Sequence, residues 1–104
     1  MGTKFQLLEE LTKRTLENEI EENSCFTSND LSDFMQMSRN TVSQYLNEFV
    51  KEKKCIKVNS RPVYFFSKEA LENKWKITLD KTIYTSVSEL CANKENDFEK
   101  IIGY

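Results

Sequence analysis

A chain of 104 residues holds one small domain and a short tail. Its composition, 38% hydrophobic and 31% charged with no histidine, supports a modest core and excludes the common zinc patterns; no apolar run approaches the roughly 20 residues of a membrane span. The net charge of −2 is unevenly spread: residues 1–23 carry three positive and six negative charges, residues 24–66 six and four, and residues 67–104 six and seven.

Residues 4–22 are predicted to form an amphipathic helix with Phe5, Leu8, Leu11, Leu16 and Ile20 near one face. The acid-rich end from Glu17 to Glu22 opposes the helix dipole, so the last turn is expected to fray near Asn23-Ser24. Thr27, with Asp30 three residues on, resembles a capping box. Leu31, Phe34 and Met35 then supply an apolar face, and the helix is expected to end at Gln36. Ser38 caps the following helix. The connection is thus a turn of about three residues, as in a helix-turn-helix.

In that second helix Val42, Leu46, Phe49 and Val50 can pack, and Lys51-Glu52-Lys53-Lys54 closes it with basic residues where the dipole favours them. Cys55–Val58 and Val63–Phe66 alternate with β-branched and aromatic residues and predict two strands. Asn59-Ser60-Arg61-Pro62 is the turn between them. Ser67 caps a further amphipathic piece with Leu71 and Trp75 one turn apart. Past Lys76 the pattern weakens. Ser86-Val87-Ser88-Glu89 is a second capping box, predicting a short helix over 86–92, and residues 93–97 read as linker.

Helix, tight turn, helix and hairpin, in that order, make a winged helix-turn-helix. The expected fold is therefore mainly α with a small β-hairpin, a three-helix bundle plus wing with a C-terminal helical extension. The DNA-binding domain is expected over 1–75 and the extension and linker over 76–104. Such a module lays its second helix in the major groove of double-stranded DNA. On that helix Arg39, Asn40, Ser43, Gln44 and Asn47 are the candidate base-reading set: Arg suits guanine, and Asn and Gln suit adenine. Ser38 and Thr41 can reach phosphate at the helix N-terminus, although Ser38 can equally serve only as the cap. Arg61 at the wing tip suits a narrow minor groove, and Lys54, Lys57 and Lys53 suit the phosphate backbone. Tyr45, Phe65, Phe66 and Trp75 are expected in or over the core. A central charge excess of two is weak for a monomer, so a homo-oligomer reading an inverted repeat is expected.

The three cysteines, Cys25, Cys55 and Cys91, lie about 30 residues apart without a CxxC pair and read as free thiols. No metal or cofactor is expected. With two glycines in all and no nucleophile–base pairing at workable spacing, no enzyme activity is expected either. The N-terminus lacks a secretory apolar region, so a cytoplasmic location away from membranes is expected.

These residues resemble a known family. Phe26-Thr27, Asp30-Leu31, Ser38-Arg39-Asn40-Thr41-Val42-Ser43, Leu46-Asn47, Ile56-Lys57-Val58 and Arg61-Pro62-Val63-Tyr64-Phe65 are similar to the N-terminal domain of bacterial sigma-54-dependent activators of the levanase and mannose operon type. Asp97-Phe98-Glu99-Lys100-Ile101-Ile102-Gly103 resembles the phrase that opens their AAA+ ATPase domain. The resemblance covers Phe26 to Gly103, more loosely over 76–96. It implies the N-terminal part of a longer regulator of a sugar-uptake operon. It also implies sigma-54 RNA polymerase and phosphotransferase-system proteins as partners of the full-length protein. The family places glycine or asparagine where Gln36 stands, and glycine where Lys53 and Ser60 stand. Any of these three held at left-handed φ costs about 1–2 kcal/mol. The alternative reading is a winged helix for protein interaction or oligomerisation that binds no DNA.

Overall fold

A computed structural model of the chain describes residues 2–94. In chain order the elements are α1 (Thr3–Glu17), a single 3-10 turn (Ser24–Phe26), α2 (Ser28–Met35), α3 (Arg39–Lys51), β1 (Cys55–Val58), β2 (Tyr64–Ser67), α4 (Lys68–Trp75) and β3 (Ile83–Tyr84). Residues 87–94 form a further helix, α5. Helices α1 to α3 with the β1–β2 hairpin are the winged helix-turn-helix, and α5 is the C-terminal helical extension.

Helix α1 is shorter than its hydrophobic pattern predicts, and it is rotated. It stops at Glu17 because Asn18 turns to extended backbone, its amide N–H donating to Arg14 O. Lys74 of α4 then donates to the freed carbonyls of Thr15, Leu16 and Asn18, a cation at the negative end of the helix dipole. The buried row is Leu7, Leu11 and Thr15, whereas Phe5 and Leu16 are 59% and 50% exposed. A threonine sits in that row because its hydroxyl is fully used: it donates to Leu11 O and accepts from Ser67 N–H on β2, 2.8 and 3.0 Å away.

Thr27 caps α2 as expected, accepting from Asp30 N–H. The Asp30 carboxylate does not close the box. It accepts instead from Arg14 Nη1 at 2.6 Å, while Arg14 Nε donates to Glu10 and Nη1 also to Cys25 O. Burial alone would lower the Arg14 pKa, but the two carboxylates outweigh it and raise it. The guanidinium lies 5.3 Å from the centre of the Phe34 ring, and Phe34, expected in the core, is 58% exposed. Cation–π contact holds it at the surface.

Helices α2, α3 and α4 end alike. Gln36, Lys53 and Lys76 have φ of 56°, 63° and 60°. After each, the next amide reaches five residues back: Met37 to Ser32 O, Lys54 to Phe49 O and Ile77 to Glu72 O. That is the Schellman closure. Between Gly2 and Gly103 the chain has no glycine to place there. Gln36 and Lys53 are two of the three positions at which the sequence raises a left-handed turn; Ser60 is not among the left-handed residues.

The sheet order is β2-β1-β3: β1 pairs antiparallel with β2 and parallel with β3. β3 is absent from the sequence expectation. Lys57 N–H and Asn59 N–H donate to Thr82 O and Tyr84 O, both at 2.7 Å. Ser86 accepts from Glu89 N–H to start α5, and the Glu89 carboxylate reaches back to the Thr85 amide and hydroxyl. Those bonds, with help from Lys81, hold the Glu89 pKa down to about 2. Leu79, Tyr84, Val87 and Leu90 belong to the same core as Leu11, Val42, Leu46 and Phe66. Packing therefore continues past the boundary expected at residue 75. Phe26 and Phe66 meet at its centre with rings 4.5 Å apart. Burial pushes the Cys55 thiol up to about 12. Asn93 and Lys94, read as linker, are helical; residues 95–97 of that linker and the 97–103 phrase lie outside the described residues.

Candidate nucleic-acid interface

Val42, Leu46, Phe49 and Val50 all turn inward, as their spacing predicts. That fixes the rotation of α3 and leaves Arg39, Asn40 and Gln44 exposed, with Thr41, Ser43 and Asn47 half-buried beside them. Ser38 is the cap: its hydroxyl accepts from Thr41 N–H at 3.1 Å and donates to the Thr41 hydroxyl at 2.9 Å. The two hydroxyls proposed for phosphate thus satisfy each other in the free chain.

The one carboxylate within the outer α3 surface, Glu48, is neutralised. Lys4 of α1 donates to it at 2.6 Å. That bond depresses the Glu48 pKa and raises that of Lys4, so the pair stays ionised and presents no net charge. The exposed polar face therefore reads as cationic and amide-bearing.

Asn47 and Lys57 work as a unit. Lys57 Nζ donates to Asn47 Oδ1 at 2.9 Å, and Asn47 Nδ2 donates to Ser43 O at 2.8 Å. Together with Arg39 and Ser43 they line an open cleft of about 300 Å³. Its far walls are Ser28 and Asn29 at the start of α2, and Pro62 and Val63 on the hairpin. Helix α3, the hairpin and the positive end of the α2 dipole thus converge.

The remaining candidates lie apart from the cleft. Asn40 and Gln44 are further round α3. Lys54 is exposed beyond its end, 3.5 Å from the Glu52 carboxylate, a separation at which a surface pair adds little. Arg61 is exposed at the hairpin tip beside the cis peptide to Pro62, where the Ser60 hydroxyl donates to Pro62 O.

The sequence singles out Lys51 only as part of the basic close of α3. It is exposed and completes a row with Asn40, Gln44 and Asn47 at helical spacings. The signal was legible: once the buried row is known, the same periodicity returns position 51. Asn29 has no sequence signal, since only the packing of α2 on α3 brings it to the cleft that the hairpin faces.

The chain is 29% identical over 104 residues to the transcriptional regulatory protein DagR of Salmonella typhimurium, a stretch that covers 93% of this chain and 11% of that protein. It thus spans about a tenth of the relative's length. No protein-family model matches the chain, and no solved structure matches it. Among the described residues no helix is long and apolar enough to cross a membrane.

Proposed function

We propose that this chain is the sequence-reading DNA-binding domain of a bacterial sigma-54-dependent transcriptional regulator. The observation that carries the reading is the α3 surface. Arg39, Asn40, Gln44 and Lys51 are exposed on one helix whose outward Glu48 is neutralised by Lys4. Its N-terminal turn opens on a cleft shared with the hairpin. A helix of this kind fits the major groove, with guanidinium and amide groups matched to purine edges. Arg61 at the hairpin tip serves the minor groove, and Lys54 and Lys57 serve phosphates. The match to a transcriptional regulatory protein supports a role in transcription control.

The family resemblance supports the finer reading. In it the full-length protein regulates a sugar-uptake operon in the cytoplasm and carries an AAA+ ATPase domain after residue 104. Sigma-54 RNA polymerase and phosphotransferase proteins are its partners. The residues in hand bind and position; no catalysis is assigned to them.

Fluorescence anisotropy tests the DNA reading. A labelled duplex from upstream of the neighbouring operon is titrated with the chain at two salt concentrations, beside a scrambled duplex. Tighter binding to the native duplex, weakening as salt rises, is expected. Equal affinity for the two duplexes would remove sequence reading, and binding to neither at low salt would favour the protein-interaction winged helix.

A further inference from the structure

Among the described residues, the outer face of α1 carries an exposed apolar stripe. Phe5 and Leu16 are 59% and 50% exposed, and with Leu8 and Thr12 they line a shallow groove of about 430 Å³ whose charged rim is Glu9, Lys13, Glu17 and, from α4, Glu69. The polar atom in this stripe is already satisfied: the Thr12 hydroxyl donates to Leu8 O, and the Ser67 hydroxyl lies 3.1 Å away. Leu8, Thr12 and Leu16 form one ridge at four-residue spacing, and Phe5, Glu9 and Lys13 form the next. Two such ridges with a groove between them are what helix–helix packing requires.

The charges beside the stripe say what covers it. Glu9 and Lys13 are exposed and stand one turn apart in the favourable order, yet among the described residues neither makes an ion pair. We infer that α1 is the pairing helix of a two-fold homodimer and lies antiparallel to the same helix of a second copy. A two-fold axis crossing α1 between residues 10 and 11 sets Phe5 against the partner's Leu16. It brings Glu9 to the partner's Lys13, and by symmetry Lys13 to the partner's Glu9. The acidic C-terminal end, Glu17 onward, then lies beside the positive N-terminal end of the partner helix. A parallel pairing would stack Glu9 on Glu9 and Lys13 on Lys13. The surface is complementary to itself in one direction only.

Its size sets the strength. Fifteen residues of helix give a strip about 22 Å long. That buries less than the roughly 1,600 Å² of a standard stable interface. The chain is therefore a weak dimer, exchanging with monomer at micromolar to millimolar concentration. Pairing through α1 needs no DNA; only its use, presenting two α3 helices to an inverted repeat, rests on the DNA-binding reading.

Sedimentation equilibrium of the 104-residue chain over a concentration series, without DNA, is the test. Reversible dimerisation is expected. Leu16→Glu should weaken it at least about tenfold, because the two-fold counts the change twice. Glu9→Lys and Lys13→Glu should each weaken it, and the double swap E9K/K13E should restore it. All three side chains are exposed, so the far-UV spectrum and melting temperature should stay near those of the parent. A chain monomeric throughout the series, or a dimer indifferent to Leu16→Glu, would overturn the assignment. So would a double swap no better than the single ones.

Discussion

In the proposed DNA reading, Arg39 and Lys54 take the two different roles open to a cation at a duplex. Arg39 stands on the first turn of α3 at the mouth of the cleft, without a carboxylate partner among the described residues. Its guanidinium is free to make the two parallel hydrogen bonds that select guanine. Lys54 lies beyond the helix end and shares its charge with Glu52, a position suited to the sequence-blind phosphate chain. Arg39→Ala should cost about 1–3 kcal/mol of binding to the native duplex and relax preference at one base pair. Lys54→Ala should weaken native and scrambled duplexes alike and flatten the salt dependence. Anisotropy on both duplexes measures both effects. A uniform loss from Arg39→Ala would demote it to a phosphate contact.

At the scale of elements, left-handed helix ends carry a measurable cost. Lys53 holds φ 63° with its amide on Val50 O and the next amide on Phe49 O. An L-residue there costs about 1–2 kcal/mol, and glycine returns part of the difference through its freer unfolded chain, about 0.5–1 kcal/mol. Lys53→Gly should therefore stabilise the domain by up to about 1 kcal/mol and raise the melting temperature by several degrees. A fall in a thermal melt would mean that the lysine side chain supports the turn in a way its backbone does not reveal.

The same elements explain what the sequence made legible. Caps at Thr27, Ser38 and Ser67 are local chemistry, one hydroxyl and one amide three residues on, and they locate helix starts. The α3 face is legible because four large apolar residues fix its rotation. In α1 the pattern is ambiguous: Leu8 and Leu16 offer one stripe, Leu7 and Leu11 another. A polar residue, Thr15, decides between them through a bond to Ser67, 52 residues away. Strand β3 has two residues, too few for any period to register, and its existence depends on β1 offering a free edge. The cleft is less legible still, since Lys57, Asn47 and Asn29 meet there only through tertiary packing.

For the molecule as a whole, the question is whether residues 76–94 are an appendage or part of the folding unit. A sequence boundary at residue 75 makes them an appendage. The packing argues otherwise: Leu79 and Leu90 are fully or almost fully buried in the one core, and β3 closes the free edge of β1 next to Lys57. Domains of this length have on the order of 5–15 kcal/mol of stability. Removing a buried leucine side chain costs about 2–5 kcal/mol, a large share of the total. If the segment folds with the rest, Leu90→Ala must lower one shared transition. Trp75, the single tryptophan, packs against the core from α4 and reports on the bundle. Its fluorescence and the far-UV circular dichroism should then melt together, both shifted down by the substitution. An independent appendage would give a different record. The tryptophan transition would stay in place while the circular dichroism lost a small separate step at lower temperature. The first outcome would make α5 a rigid part of the winged-helix unit.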